Sequence, residues 1–258
     1  MTEAGDRAGA RVLGAQIDAV DAERCLDRIS GWASRGESRS VFLCNVHSVV
    51  TARRDPAFAR VLGAADLAVP DGAPIAWCLR RVGFARQRRV GGPDLMWACC
   101  ELATRARLPI FLYGASADTL RRLRARLAAG FPGVQIAGSA APPFRRLTEA
   151  EDARAVRAIA RSGARIVFVA LGCPKQEQWI AGHRGAIPAV MVGVGAAFDF
   201  HAGTVKRAPR WMQEFGLEWL HRVAMEPRRL WRRYLVTNTL FLAYLAGELV
   251  GDLRRKAG

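Results

Sequence analysis

Asp71 stands between Pro70 and Gly72, just after one apolar stretch and just before another, so a forced turn restricts the rotation of its carboxylate. Held that way, a carboxylate can take a proton from a hydroxyl; an ordinary turn or helix-capping aspartate has the same surroundings. A second candidate set lies at Val167 to Ile180, where a β-rich apolar run breaks at Gly172-Cys173-Pro174 and restarts at Lys175-Gln176-Glu177. Free N–H groups at a helix start and an adjacent cation suit an anion. Only Lys175, Lys206 and Lys256 among the 39 basic residues are lysine, the rest being arginine, which with the abundant alanine fits the codon bias of a GC-rich genome. A lysine kept against that bias is either a ligand contact or a solvated helix-start residue.

Asn45-Val-His47-Ser48 and Asp199-Phe-His201 follow two further apolar runs. His47 reads as a base or as a polar helix-start residue, with no acid partner placed by spacing. Cys173 lacks a histidine partner for nucleophilic work. Gly193-Val-Gly195 lacks the third glycine and the downstream acid of a dinucleotide fingerprint. With no Asp-x-Asp pair, and only Asp199 and His201 as a thin cation site, a diphosphate would have to be met by helix N-termini and by cations such as Lys175, Arg89 or the C-terminal arginines.

The elements that must position these groups follow from periodicity. Short apolar runs at Val41–Cys44, Leu67–Val69, Ile110–Tyr113, Val134–Ala137, Ile166–Leu171 and Ala189–Val194 alternate with segments of helical period. That alternation predicts an α/β fold with a mostly parallel sheet and crossover helices, in which the four polar strand exits converge on one edge. Ser116 is placed to cap one helix, and Thr148 with Glu151 forms a capping box for another. After Phe200 the strand pattern stops. Ala208 to Met212 opens a helical stretch in which Trp211, Phe215 and Trp219 share a face, and Glu226-Pro227 starts a second helix carrying Arg228, Arg229, Arg232 and Arg233 beside Trp231 and Tyr234. The reading is thus residues 1–203 as an α/β catalytic domain and 204–258 as an all-helical, basic and aromatic appendage.

A chain of 258 residues with 51% apolar content can bury a large core and is not disordered. Its net charge of +16 points to phosphates, nucleic acid or an anionic membrane, and the charge is densest after Val205, with eleven basic against five acidic residues. The six cysteines show no C-x-x-C or zinc spacing and read as thiols of a reducing cytosol. Met1 to Arg11 lacks an apolar h-region, so no signal peptide is expected. The lipophilic run Tyr234–Val250 is interrupted by Thr237, Asn238, Thr239 and Glu248, short of the roughly 20 apolar residues of a span, which favours interfacial or core burial.

Taken in order, Pro70-Asp71-Gly72, Arg89-Val-Gly-Gly-Pro-Asp94-Leu95, Phe111-Leu-Tyr-Gly114, Leu171-Gly-Cys-Pro-Lys-Gln176-Glu177, Gly193-Val-Gly195-Ala-Ala-Phe198-Asp199, Arg207-Ala-Pro209 and Gly216-Leu-Glu-Trp219 resemble the motifs of the WecG/TagA/CpsF glycosyltransferases, glycosyltransferase family 26, over about Asn45 to Tyr234. The resemblance implies a Rossmann-like core and an inverting, metal-independent enzyme without a cofactor. It would move sugar from a UDP donor, UDP-N-acetylmannosamine or UDP-glucose, to a polyprenyl-diphosphate-linked saccharide for cell-surface polysaccharide. It also implies a cytoplasmic protein, peripheral on the inner face of the bacterial plasma membrane, whose appendage closes over the site. By motif, Asp71 matches the general base; Asn45 and Gln176 match polar pocket residues and Arg89 a basic one. Arg222, Arg229 and Arg232 fall where the family brings arginines toward the diphosphate. Teichoic-acid members carry a threonine two residues before the Asn45 position, where this chain has Leu43. Homo-oligomerisation stays open, and nucleic acid is not an expected partner.

Two other classes compete. A basic α/β module could dock lipid or nucleic acid without catalysis, yet an acid at Asp71 among the strand exits is poor design for phosphate binding alone. An NAD-dependent oxidoreductase rests only on the broken glycine pattern.

Overall fold

The computed structural model describes residues 8–257, without the side chains of Glu214, Arg229 and residues 252–257. The polar stretch before residue 8, read above for a leader, lies outside the described residues. The chain opens with a two-stranded antiparallel sheet, β1 (Gly9–Val12) and β2 (Ala15–Asp18). Then follow α1 (Ala22–Arg35), β3 (Arg39–Cys44), α2 (Val46–Arg54), α3 (Pro56–Gly63), β4 (Leu67–Pro70), α4 (Ala73–Arg81) and α5 (Gly92–Arg105). The second half runs β5 (Ile110–Gly114), α6 (Ala117–Gly130), β6 (Ile136–Ala140), α7 (Glu149–Arg161), β7 (Ile166–Ala170), α8 (Lys175–Gly182), β8 (Val190–Gly193) and α9 (Ala197–Ala202). Three helices close the chain: α10 (Arg210–Glu214), α11 (Glu218–Met225) and α12 (Pro227–Ala257).

Six strands form one parallel sheet in the order β4-β3-β8-β7-β5-β6. Both of its faces are covered, which is why the strands read as unbroken apolar runs. Val41, Leu43, Val69, Leu112, Phe168 and Val192 point to the face packed by α1, α5, α6 and α9. Their neighbours Phe42, Cys44, Ala68, Tyr113, Val169 and Met191 point to the other, packed by β1 and β2 with α2, α3, α4, α7, α8 and α12. Each fully buried Val, Leu, Ile or Phe there contributes about 1.5–3 kcal/mol relative to exposure. Capping agrees with the sequence: Ser116 Oγ accepts from Thr119 N, and Thr148 and Glu151 form a capping box.

Four differences from the sequence reading have physical causes. The β1–β2 hairpin was not expected, because two four-residue strands with Arg11 and Gln16 among them give too short a periodic signal. Its Ile17 and Val12 nonetheless join the second core, and Asp18 Oδ2 accepts from Ala68 N at 2.6 Å, tying the hairpin to β4. The edge strand β6 starts two residues later than expected and is only half-buried, so apolar content marks it poorly. The helical stretch after Ala208 is two helices, because Gly216 turns left-handed (φ 72°) and puts Trp219 on a separate element from Trp211. Finally, α12 runs unbroken through Thr237-Asn-Thr239, and its segment Leu230–Gly251, with mean hydropathy 1.2, is long and apolar enough to cross a membrane. Thr237 Oγ1 bonds back to the Arg233 carbonyl, which satisfies that hydroxyl within the helix, while Asn238, Thr239 and Glu248 remain as polar interruptions. One face of the helix is meanwhile packed on α2, with Leu230 and Phe241 buried.

Candidate active site

All six parallel strands end at the same edge, and there β8 is the point of divergence. The helices after its neighbours β3 and β7 fold back over one face, while α9 folds over the other, and in open α/β sheets ligands bind where the chains part in this way. Gln176 floors that place. This buried side chain accepts from Gly195 N through Oε1 at 3.1 Å and donates through Nε2 to Glu177 Oε1 at 2.9 Å. A Cβ at Gly193 would lie 3.1 Å from the Gln176 amide, so the strand end and this side chain are closely packed. Glu177 is itself buried, and desolvation holds its carboxyl above the usual range. Burial and then Glu177 push the Cys173 thiol up, which deprives the nucleophile reading of its thiolate. The Cys173–Pro174 peptide is cis.

Asp71 sits at the β4 end of the same edge. Its N–H donates to the Cys44 carbonyl at 2.9 Å, and Val90 N donates to the Pro70 carbonyl at 2.9 Å, which lays the Arg89 segment against the strand end. Burial, and second the Glu218 carboxylate, push the Asp71 carboxyl up to about 6, against the opposing pull of Arg89, the Asn45 amide and Arg222. A carboxylate of that affinity is mostly ionised at neutral pH yet takes a proton more readily than an exposed one. Asn45 does two jobs: its Oδ1 accepts from His47 N (3.0 Å) and Ser48 N (3.3 Å) as the cap of α2, and its amide supports Asp71.

The C-terminal helices reach this mouth. Arg89 Nη1 pairs with Glu218 Oε2 at 3.2 Å, and Arg207 Nε meets Glu218 Oε1 at 3.4 Å while its Nη atoms grip Asp94 at 2.6 and 2.7 Å. Gly216 rests on the Asp71 turn so closely that a Cβ there would fall 2.8 Å from Ala73 Cβ. Arg222 lies over the Phe200 ring at 5.5 Å and its charge is felt by Asp71.

Asp71, Asn45, Arg89 and Arg222 therefore share one mouth, with Gln176 in the floor two strands away. His47 lies beside it, half-buried, and burial followed by Arg233 pushes its imidazole down to about 4, so it is neutral and offers no charge to a diphosphate. Lys175 is exposed and lines a cleft of about 680 Å3 with Tyr113, Trp179, Arg145 and Arg146. Arg232 is exposed with its guanidinium over Trp231 at 5.5 Å. The Arg229 side chain lies outside the described residues. Asp199 and His201 do not form a pair: His201 bonds the Pro93 carbonyl and stacks on Trp97, while Asp199 meets Thr119 and Thr204. Leu43 packs into the core with its Cδ1 near Gly92. Sequence reasoning gave no role to Glu218, Arg207, Asp94 or Glu177, although all four stand inside the quoted motifs. Long-range pairing reveals Glu218, Arg207 and Asp94, and burial against Gln176 reveals Glu177.

The family model of the WecG/TagA/CpsF glycosyl transferases matches residues 10–255. The chain is 37% identical over 198 residues (76% of this chain, 75% of the relative) to a Bacillus spizizenii N-acetylglucosaminyldiphosphoundecaprenol N-acetyl-beta-D-mannosaminyltransferase. To the Bacillus subtilis protein of the same name it is 33% identical over 205 residues (79% and 78%). With a carboxylate, an asparagine and two arginines gathered at the strand ends and the match running through the last helix, this chain belongs to the WecG/TagA/CpsF family and is a glycosyltransferase.

Proposed function

We propose that the protein transfers a sugar from a UDP donor to a polyprenyl-diphosphate-linked saccharide, with inversion and without a required metal. The names of the two relatives favour N-acetylmannosamine as the sugar and an N-acetylglucosaminyl-diphosphoundecaprenol acceptor; glucose is the second donor to test. The observation that carries the reading is Asp71, a desolvated carboxylate at a strand exit flanked by Asn45, Arg89 and Arg222. Asp71 takes the proton from the acceptor hydroxyl as its oxygen bonds to the donor's anomeric carbon, and UDP leaves from the opposite face. One displacement inverts the centre and needs one carboxylate. Arg89, Arg222 and Lys175 supply the positive charge that the departing diphosphate requires.

In this reading the donor lies across the strand ends. Lys175 and Asp71 follow β7 and β4, whose axes lie three strand spacings or about 14 Å apart, and the cleft beside Lys175 offers the half-buried Trp179 to a nucleoside. Lys175→Ala is expected to weaken UDP binding by about 1.5–3 kcal/mol. Unchanged affinity by calorimetry would make Lys175 a solvated helix-start residue.

We also place residues 204–258 as an appendage that completes the mouth and docks the protein peripherally on the cytoplasmic membrane face. On α12, Arg228, Trp231, Arg232, Leu235 and Leu242 lie on the exposed side, opposite Leu230, Thr237 and Phe241. Cations beside interfacial apolar side chains are what an anionic surface attracts. Transfer is tested with a panel of UDP-sugars, with and without a short-chain lipid-diphosphate N-acetylglucosamine. Acceptor-dependent UDP release with UDP-N-acetylmannosamine is the expected result. No acceptor-dependent release with any donor would overturn the reading.

A further inference from the structure

Glu218 is a second carboxylate at the mouth, contributed by the C-terminal helices and unused by the reaction as described. It begins α11, two residues after the Gly216 turn that sits on Ala73, and so it arrives beside Asp71 by close backbone approach. Its side chain is mostly buried, with both oxygens engaged: Oε2 with Arg89 and Oε1 with Arg207. Arg207 is anchored in turn by Asp94 at the start of α5. A carboxylate here costs desolvation and places like charge against Asp71, which stability alone does not call for. An apolar residue could pack the same turn.

We propose that Glu218 is a positioning residue for the proton transfer: it holds Arg89 away from full pairing with Asp71 and sets its own negative charge against that carboxylate, so that Asp71 is left free to take the acceptor's proton. This rests on the functional reading above. Arg89 pairs with Glu218 and acts on Asp71 and Asp94, and each share taken by Glu218 is lost to Asp71. The charged groups acting on Asp71 are Glu218, which raises its proton affinity, and Arg89 and Arg222, which lower it. Without Glu218 both changes act in one direction: a repelling charge is gone and Arg89 is released toward Asp71. The carboxyl then loses its proton at lower pH and becomes the weaker base.

Two measurements on the full-length protein test this. Glu218→Gln keeps the shape and removes the charge, and Arg207→Gln loosens the same seat while keeping the Glu218 carboxylate. In a 13C titration of the aspartate carboxyls, with the Asp71 signal assigned by Asp71→Asn, Glu218→Gln is expected to move the Asp71 midpoint down by at least about half a pH unit. The acid limb of kcat should move down with it, and the plateau should fall. Glu218→Asp retains the charge and should return the midpoint toward the starting value, and Arg207→Gln should not lower it. A midpoint unmoved in Glu218→Gln, or lowered equally in Arg207→Gln, overturns the proposal and leaves Glu218 as a tether. The titration reads Asp71 without turnover, so a protein that transfers no sugar defeats the functional reading separately.

Discussion

Asp71→Asn is expected to lower turnover by about 10²- to 10⁴-fold with donor affinity nearly unchanged, the signature of losing proton transfer while keeping shape. The substitution retains the turn between Pro70 and Gly72, the N–H bond to Cys44 and the volume beside Asn45, so the fold should not be disturbed. It removes the carboxylate of raised proton affinity that stands beside Asn45, Arg89 and Arg222; His47 is neutral and pushed down to about 4 and the Cys173 thiol is held protonated, so neither stands in for it. Wild-type turnover should fall as pH drops below about 6, where Asp71 takes up its proton, and the residual rate of the asparagine variant should lose that limb. Steady-state kinetics over pH with UDP calorimetry on both proteins decides it. Near-normal turnover in the purified variant would remove Asp71 from the mechanism.

The second large effect concerns the lipid surface. Replacing Trp231, Leu235 and Leu242 together by glutamate is expected to lower binding to anionic vesicles by at least about 10²-fold. Each large apolar side chain contributes on the order of 1.5–3 kcal/mol when fully withdrawn from water, and the new acids repel the surface. These three are exposed, so folding and UDP affinity should hold. Transfer to a water-soluble acceptor should persist while transfer to a vesicle-borne acceptor falls. Vesicle sedimentation at unchanged strength would show that the exposed face of α12 is not the docking surface. By contrast, Arg222, which lies over Phe200 and acts on Asp71, should lose activity on either acceptor when replaced.

How much of this was legible follows from which interactions are local. The parallel sheet was readable because both faces are buried and the strands are continuous apolar runs, and Asp71, Gln176 and Asn45 were readable because each stands where such a run ends. The caps at Ser116 and Thr148 involve partners three residues away. The hairpin was too short for its periodicity to show. The pairing of Arg89 with Glu218 spans 129 residues, and no local pattern encodes it. Arg232 covers its chain neighbour Trp231 with its guanidinium, a contact of an exposed helix face that side-chain rotamers set and sequence spacing does not.

The packing of α12 on α2 has a geometric meaning. The first residue after the cap of α2 stands next to Asn45, and Asn45 supports Asp71, so the helix that presents apolar side chains outward is separated from the base by a single helix. Neighbouring helix axes lie 8–10 Å apart. If α12 lies along a bilayer, the protein works as a height gauge: the reacting hydroxyl is held at a fixed elevation above the lipid, set by a helix diameter rather than by a flexible tether. An acceptor would then be selected by how far its sugar stands off the membrane, and a saccharide longer by one residue would carry its terminal hydroxyl past the carboxylate.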